Sequence, residues 1–162
     1  MTAEQVLAFE FESIKKDLIA EYDKRGMRAS GEFARELEVV VETPSNVKLL
    51  GAPHSLQLED GRGPTSSGAQ RAEVPLIEKI KQWIRDKGII SDIKNDEDGS
   101  TLAFLITRKI HREGWKREKH GGVGLISAVV TDQRMQRIID QVGPLLVVQT
   151  VEILKKELIK FT

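Results

Sequence analysis

A glycine-rich stretch is the part of the chain whose residue types and spacing come nearest to a ligand-binding motif. Gly61-Arg62-Gly63-Pro64 is followed by a polar run that reaches Gly68. Glycines let the backbone turn its N–H groups towards an anion, so a phosphate cradle is the first hypothesis. It fails because Ala69-Gln70 stand where a P-loop needs Lys and Ser or Thr, and Ser66 stands where a dinucleotide fingerprint needs Gly. The stretch therefore predicts no nucleotide cofactor.

The histidines offer no recognisable metal motif. His54, His111 and His120 never have the four-residue spacing of a helical zinc motif, and the chain has no cysteine. His111, Glu113 and His120 would converge on a metal only through a special loop fold, so surface histidines are the simpler interpretation. The sequence predicts no metal site.

Carboxylates and serines also lack a catalytic arrangement. Asp96-Glu97-Asp98 lies in a polar turn, where a solvated role in capping a helix is the simplest interpretation. Ser66 and Ser67 are not part of a Gly-x-Ser-x-Gly nucleophile elbow. No catalytic residue is predicted, and a small hydrolase is the least favoured function.

The segment from Arg108 to His120 is locally basic, with six Lys or Arg side chains against two Glu and with Trp115 among them. Such a cluster could contact nucleic-acid phosphates, which makes a small nucleic-acid-binding module the alternative function. The simpler interpretation is a solvated connector with one aromatic residue packed on the core. The basic residues are Arg108, Lys109, Arg112, Lys116, Arg117 and Lys119.

Composition narrows the class of protein. The 162 residues suffice for one domain, residues 1–162, and 40% of them are hydrophobic, as in ordinary globular proteins. Lys and Arg balance Asp and Glu at 25 each, so no global field draws the chain to nucleic acid or to a membrane. The absence of cysteine excludes disulfides, and no apolar run approaches a membrane span. We expect a soluble protein that starts in a cytoplasm and has no membrane partner.

Periodicity defines the elements that would position these residues. Apolar residues recur every three or four positions in residues 1–26, which predicts a long N-terminal helix capped by Thr2 with Gln5 and ended by Gly26. Alternation around Val39 indicates the first strand of a meander in residues 34–60, followed by an extended loop in residues 61–73. The further strands are predicted at Val47 to Leu50, Ser55 to Glu59 and residues 124–131.

Two central helices are predicted in residues 74–114, and C-terminal helices in residues 132–162. Trp83 lies on the apolar face of the first central helix and is expected in the core. Gly143-Pro144 is expected to interrupt or kink the C-terminal helices, and Leu145 to Val148 could be strand or helix. The fold class is therefore α+β: a long N-terminal helix, a small mostly antiparallel sheet of about four short strands, two central helices and a kinked C-terminal helical segment packed on it.

Three motifs in the central third occur in a recognisable order. They are Gly61-Arg62-Gly63-Pro64, a helix that contains Pro75, Ile80 and Trp83 and ends in Lys87-Gly88-Ile89, and the helical segment from Ala103 to Gly114. The set resembles the tail-completion or neck proteins of tailed bacteriophages, which join the head connector to the tail. The chain departs from that pattern at Thr65 to Arg71, where another glycine, a basic residue and prolines would be expected.

The resemblance implies an α+β structural protein of the virion without enzymatic activity. It implies a homo-oligomeric ring of six or twelve copies between the portal or adaptor and the tail proteins, assembled in the host cytoplasm, with non-specific contact to double-stranded DNA in its channel. Arg62 would contact a neighbouring subunit, or else form a local salt bridge. The interface candidates are Gly61, Arg62, Gly63, Pro64, Arg108, Lys109, Trp115, Lys116 and Arg117.

Overall fold

The computed structural model describes residues 1–66, 74–116 and 123–159. These residues form an α+β fold that is mostly helical, with a small two-stranded antiparallel sheet. Close contacts divide the chain into two compact units, and the single domain of residues 1–162 stays a prediction. In chain order the elements are α1 (Ala3–Lys24), α2 (Glu32–Glu36), β1 (Glu38–Thr43), β2 (Asn46–Leu50), a 3-10 turn (Pro53–Leu56), α3 (Gln57–Asp60), α4 (Leu76–Lys87), α5 (Ser100–Glu113), α6 (Leu125–Val129) and α7 (Asp132–Ile159).

The first unit comprises Met1–Glu21, Phe33–Ala52 and Leu125–Thr162. Its helix α1 begins with the predicted capping box, in which the Thr2 N–H donates to Gln5 Oε1 at 3.0 Å and the Gln5 N–H donates to Thr2 Oγ1 at 3.2 Å. Ile14 and Leu18 are buried on the predicted apolar face. The long N-terminal helix is confirmed.

Helices α1 and α7 are linked by polar contacts within this unit. Arg134 donates to Asp17 Oδ2 at 2.6 Å and to Ser13 Oγ at 2.9 Å. One helical turn further on, Arg137 lies 3.6 Å from the buried Glu10 carboxylate. These contacts fix the N-terminal half of α7 to α1. Ile138 and Val142 in the same half of α7 are buried.

Strands β1 and β2 form a hairpin whose register pairs Val39 with Leu49 and Val40 with Lys48. The first two predicted strands are thereby confirmed, but the meander of residues 34–60 is not. Its ends are helical, since α2 precedes the hairpin and α3 occupies most of Ser55 to Glu59. A run of five residues with two leucines does not distinguish strand from helix, and no third strand pairs with the hairpin among the described residues.

The predicted strand at residues 124–131 is also wrong. Leu125–Val129 is helix α6, Leu125 is fully buried, and the Val130 N–H donates to the Ile126 carbonyl at 2.8 Å in a helical pattern. β-branched residues favour strands only where a neighbouring strand is available, and tertiary packing overrides that preference.

One continuous helix, α7, replaces the two predicted C-terminal helices. It contains Pro144 and includes Leu145 to Val148, so that segment is helical. The loss of one backbone donor at Pro144 does not end a helix of 28 residues. Packing of this segment on the sheet stays a prediction.

The second unit comprises Tyr22–Glu32 and Pro53–Gly124. The two predicted central helices are confirmed as α4 and α5, which pack against each other. Gly88 ends α4 in the left-handed conformation, and the Ile89 N–H donates to the Ile84 carbonyl at 3.0 Å. Trp83, expected in the core, is instead 39% exposed, while Ile84 beside it is buried. Part of the apolar face of α4 is therefore exposed at Trp83.

Candidate interaction site

The glycine-rich stretch and the end of α5 meet in a backbone bridge. The Arg62 N–H donates to the Trp115 carbonyl at 2.8 Å, and the Trp115 N–H donates to the Arg62 carbonyl at 2.6 Å. The two residues therefore exchange both backbone hydrogen bonds, as a directly opposed antiparallel pair does. This bridge joins Arg62 of the first motif to Trp115, the residue that directly follows the third motif.

A glycine with an unusual backbone precedes each bridged residue. Gly61 has φ 78° and ψ −161° after α3, and Gly114 has φ 77° and ψ −162° after α5. This region of backbone conformation is essentially restricted to glycine. Each glycine also ends its helix, since the Gly61 N–H donates to the Gln57 carbonyl and the Gly114 N–H donates to the Ile110 carbonyl, both at 2.9 Å. The bridge therefore joins two similar helix ends in antiparallel orientation.

The close approach of the two backbone segments gives these glycines a second role. A Cβ on Gly61 would collide with the carbonyl oxygen of Trp115, and a Cβ on Gly114 would overlap the carbonyl oxygen of Arg62. The Gly114 Cβ would also lie 2.9 Å from the carbonyl carbon of Gly63. Both conformation and space thus require glycine at the two positions.

Thr65 attaches the rest of the described loop to the last turn of α5. Its N–H donates to the His111 carbonyl at 2.9 Å, and its hydroxyl oxygen lies 2.6 Å from His111 Nδ1 in a second hydrogen bond. The Arg62 guanidinium donates to the same hydroxyl at 3.1 Å. Gly63 and Pro64 are held between these attachments and remain exposed.

Six of the nine interface candidates lie together at this bridge. Arg62 and Trp115 are half-buried and Lys116 is exposed, so the cluster presents side chains to solvent on a fixed backbone. We name it the bridge cluster, and its members are Gly61, Arg62, Gly63, Pro64, Trp115 and Lys116.

Two of the three remaining candidates, Arg108 and Lys109, lie on α5. Arg108 lines a shallow depression of about 460 Å³ together with Phe104, Thr107, His111 and Arg112. Lys109 does not line this depression, and Arg117 lies outside the described residues.

The positive charge at the end of α5 is partly neutralised. Arg112 forms a hydrogen-bonded ion pair with Glu113. The hydrogen bond from Arg112 holds the pKa of the Glu113 carboxyl below its ordinary value, with a further contribution from the Lys109 charge. The Arg112 guanidinium is therefore already paired within the chain, whereas the net charge of the segment is the one its sequence gives.

The opposite end of α5 is fixed by Asp96. Its carboxylate accepts hydrogen bonds from the N–H groups of Thr101 and Leu102 at 2.7 and 2.9 Å, and from the Ser91 hydroxyl at 2.7 Å. Burial raises the pKa of Asp96, but these hydrogen bonds outweigh burial and hold its pKa below the ordinary value. Capping by this turn was predicted, with Asp98 or Ser100 at the cap. The expectation of a solvated turn is wrong for Asp96, which is only 5% exposed.

A second candidate surface lies on the C-terminal half of α7, in the first unit. Val147, Val151 and Leu154 are spaced by four and three residues and are 64%, 42% and 56% exposed. At 3.6 residues per turn they share one side of the helix, roughly opposite Ile138 and Val142 in the core. We call these three residues the α7 stripe. From Val151 to Lys156 every side chain is exposed, so nothing within the described chain covers this end of the helix.

Comparisons with protein-family models, curated proteins and solved structures return no significant match. In the described part of the chain, no three His, Cys, Asp or Glu side chains are grouped so that they could hold a metal ion. None of the helices in those ranges is long and apolar enough to span a membrane.

Sequence reasoning did not identify Thr65, His111 or the α7 stripe as functional. Thr65 and His111 are 46 residues apart and carry no local signal that they meet. The α7 stripe had a signal, because residues 147, 151 and 154 repeat at helical spacing, but uncertainty about Pro144 obscured it.

Proposed function

We propose that this chain is a structural subunit of a tailed-bacteriophage neck, a tail-completion protein that forms a ring between the portal or adaptor and the tail and surrounds the DNA passage. The proposal includes a non-enzymatic role in the virion after assembly in the host cytoplasm. Its basis is the order of motifs from Gly61 to Gly114.

The observation that carries the proposal is the bridge cluster. Residues that are 53 positions apart in the sequence, Arg62 and Trp115, are paired through their backbones, and the glycines that permit this belong to the resembling motifs. Such a cluster holds exposed residues on a rigid backbone, which lowers the entropic cost of contact with a neighbouring subunit. This supports a role for the motif in presenting an interface.

A ring subunit also needs two different faces, because head-to-tail contacts join unlike surfaces. The bridge cluster carries two cationic side chains, Arg62 and Lys116, whereas the α7 stripe is entirely apolar. Contiguous exposed apolar surface is typical of protein interfaces. Two chemically different candidate surfaces on one chain therefore support head-to-tail assembly over a symmetric dimer.

Mass photometry of the purified chain, followed by negative-stain imaging of large species, tests this proposal. We expect a discrete hexamer or dodecamer with a central hole. A chain that stays monomeric at every concentration, both alone and when mixed with a portal complex, would contradict it.

A small nucleic-acid-binding module is the second candidate, and the depression on α5 favours it. Arg108 and the exposed Phe104 both line it, which combines a charge for a phosphate with an aromatic surface for a base. Binding of a single-stranded oligonucleotide would then weaken steeply with salt and with Arg108→Glu. Unchanged behaviour in this variant, with Lys79→Glu on α4 as the control, would exclude the module.

A further inference from the structure

The hairpin leaves both of its outer backbone edges unpaired within the ranges that the structure describes. β1 and β2 form hydrogen bonds to each other and to no other strand in those ranges. An open edge presents N–H and C=O groups that readily pair with a further strand. A two-stranded hairpin is marginally stable by itself, whereas three or more strands with an apolar face are more stable. The hairpin is therefore suited to accept another strand.

The charges on one face of the hairpin are sorted by strand. Glu38 and Glu42 belong to β1, and Lys48 is the charged residue of β2. The register pairs Glu38 with Leu50 and Val40 with Lys48, so Glu38 and Lys48 share a face. Glu42 lies at a register irregularity between Val41 and Thr43, and its ion pair with Lys48 places its carboxylate on the same face. Within the hairpin Lys48 Nζ lies 2.6 Å from Glu42 Oε1. β1 is thus acidic and β2 is basic, so their charges attract each other when the two strands pair.

The different charges of β1 and β2 distinguish the three ways in which the hairpin edges of two copies could pair. Pairing β1 with β1 of another copy, centred on Val40, brings Glu38 next to Glu42, the residue at the irregularity of the register. Pairing β2 with its own copy, centred on Lys48, sets Lys48 opposite Lys48. Like charges directly opposed across strands are destabilising, whereas opposite charges are stabilising. Only the unlike pairing, β1 with β2 of the next copy, brings acidic residues beside a basic one.

We infer that the free edge of β1 pairs antiparallel with the free edge of β2 in a second copy of this chain. Two joined hairpins make a continuous four-stranded antiparallel sheet and add neighbours beside Val41 and Leu50, which are 40% and 47% exposed. Each copy contributes a different edge, so the contact is heterologous and can repeat until a ring closes. The inference rests on the self-assembly in the proposed function and adds one strand-to-strand contact to it.

Cross-linking of mixed single-cysteine variants tests the pairing directly. The chain has no cysteine, so Val40→Cys on β1 and Leu50→Cys on β2 each introduce a single thiol and leave the charged residues in place. With a short bismaleimide, we expect a covalent dimer when the two variants are mixed, and loss of that dimer when either variant is treated alone. Circular dichroism of each variant checks that it is folded.

Ser45→Cys is the matched control, because Ser45 is exposed in the turn of the same hairpin but lies on neither strand. Mixed with Val40→Cys, it should give no covalent dimer. Dimers of equal yield from Val40→Cys alone would overturn the inference in favour of symmetric β1 pairing. Absence of dimer from the mixture of Val40→Cys and Leu50→Cys would also overturn it.

The outcomes separate this inference from the proposed neck role. Rings in the electron microscope without a hairpin cross-link would overturn the strand pairing and leave the ring intact. A hairpin cross-link in open chains that never close would keep the strand pairing and contradict the neck ring.

Discussion

The bridge cluster and the α7 stripe represent two opposite ways of building a surface. At the bridge, two glycines and a reciprocal pair of backbone hydrogen bonds define the position of every exposed residue. On α7, exposed valine and leucine side chains follow one side of a helix end that nothing in the described chain covers. The first surface is held by contacts within one chain, whereas no described residue of the chain covers the second.

Because of this difference, mutations at the two surfaces should have different effects. Changes at the bridge should alter the free energy of unfolding of the isolated chain. Changes on the α7 stripe should leave that free energy nearly constant and alter association. Both tryptophans, Trp83 and Trp115, belong to the second unit, so their fluorescence reports the unfolding of the unit that holds the bridge.

Replacement of Gly114 by Ala should have the largest effect on folding. The new Cβ would overlap the Arg62 carbonyl oxygen in a backbone region that other residues avoid, so we expect a loss of about 3 kcal/mol or more. Denaturant unfolding followed by tryptophan fluorescence measures it.

Gly88→Ala is the matched control for Gly114→Ala. Gly88 also ends a helix of the second unit at positive φ, but a Cβ there meets nothing within 4 Å. A cost of about 1 kcal/mol is expected from its left-handed conformation alone. Equal losses of unfolding free energy in the two variants would show that the close approach at the bridge adds nothing to the cost of Gly114→Ala.

Asp96→Asn should destabilise the second unit less than Gly114→Ala, and in a pH-dependent way. An amide has one oxygen, so it cannot accept from Thr101, Leu102 and Ser91 as the two carboxylate oxygens do. The pKa of Asp96 is lowered in the folded protein from its ordinary value of 3.8. The stabilisation is therefore present above that value and is lost as the pH falls through the folded pKa.

Unfolding of wild type and Asp96→Asn at a series of pH values measures this effect. The difference in unfolding free energy should be constant near neutral pH and should shrink from about pH 4 downwards. A difference that stays constant throughout the acid range would refute the role of the Asp96 charge.

Arg62→Ala should have a small effect on folding and a larger one on assembly. The bridge uses only the backbone of Arg62, and its side chain donates one exposed hydrogen bond to Thr65, so we expect a loss of about 1 kcal/mol or less. Analytical ultracentrifugation should show weakened association if the guanidinium contacts a neighbour. Full assembly by this variant would show that the Arg62 side chain contacts only Thr65 and no neighbouring subunit.

Substitution of the α7 stripe should have the smallest effect on folding. Val151→Lys combined with Leu154→Lys changes exposed helical positions, so the unfolding free energy should stay within about 0.5 kcal/mol of wild type. Association, measured by mass photometry, should be lost. Lys156→Glu, an exposed charge change on the same helix end, is the control and should assemble normally. Normal assembly by the double variant would show that the stripe stays uncovered.

The sequence predicted best those features that depend on neighbouring residues. The Thr2 and Gln5 cap, the stop at Gly26 and the stop at Gly88 are all local, and all three are present. The strand predicted at Ser55 to Glu59 is wrong because a short apolar run becomes a strand only where a neighbouring strand can pair with it. No strand among the described residues pairs there.

The candidate site was predictable only in part. Gly61 and Arg62 were singled out as a motif, yet their contact with Gly114 and Trp115 depends on the path of the intervening chain. The burial of Asp96 was not predictable for the same reason. An acidic turn is usually solvated, and only tertiary contacts bury it.

Hydrogen exchange measured by mass spectrometry at low and high protein concentration tests the contrast between the two surfaces most directly. We expect the amides of Arg62 and Trp115 to be protected at both concentrations, because their bridge lies within one chain. Amides around Val151 and Leu154 should exchange fast at low concentration and slowly at high concentration, when a neighbour covers them. Protection at α7 that does not change with concentration, or a bridge that is protected only in the assembled state, would contradict the account.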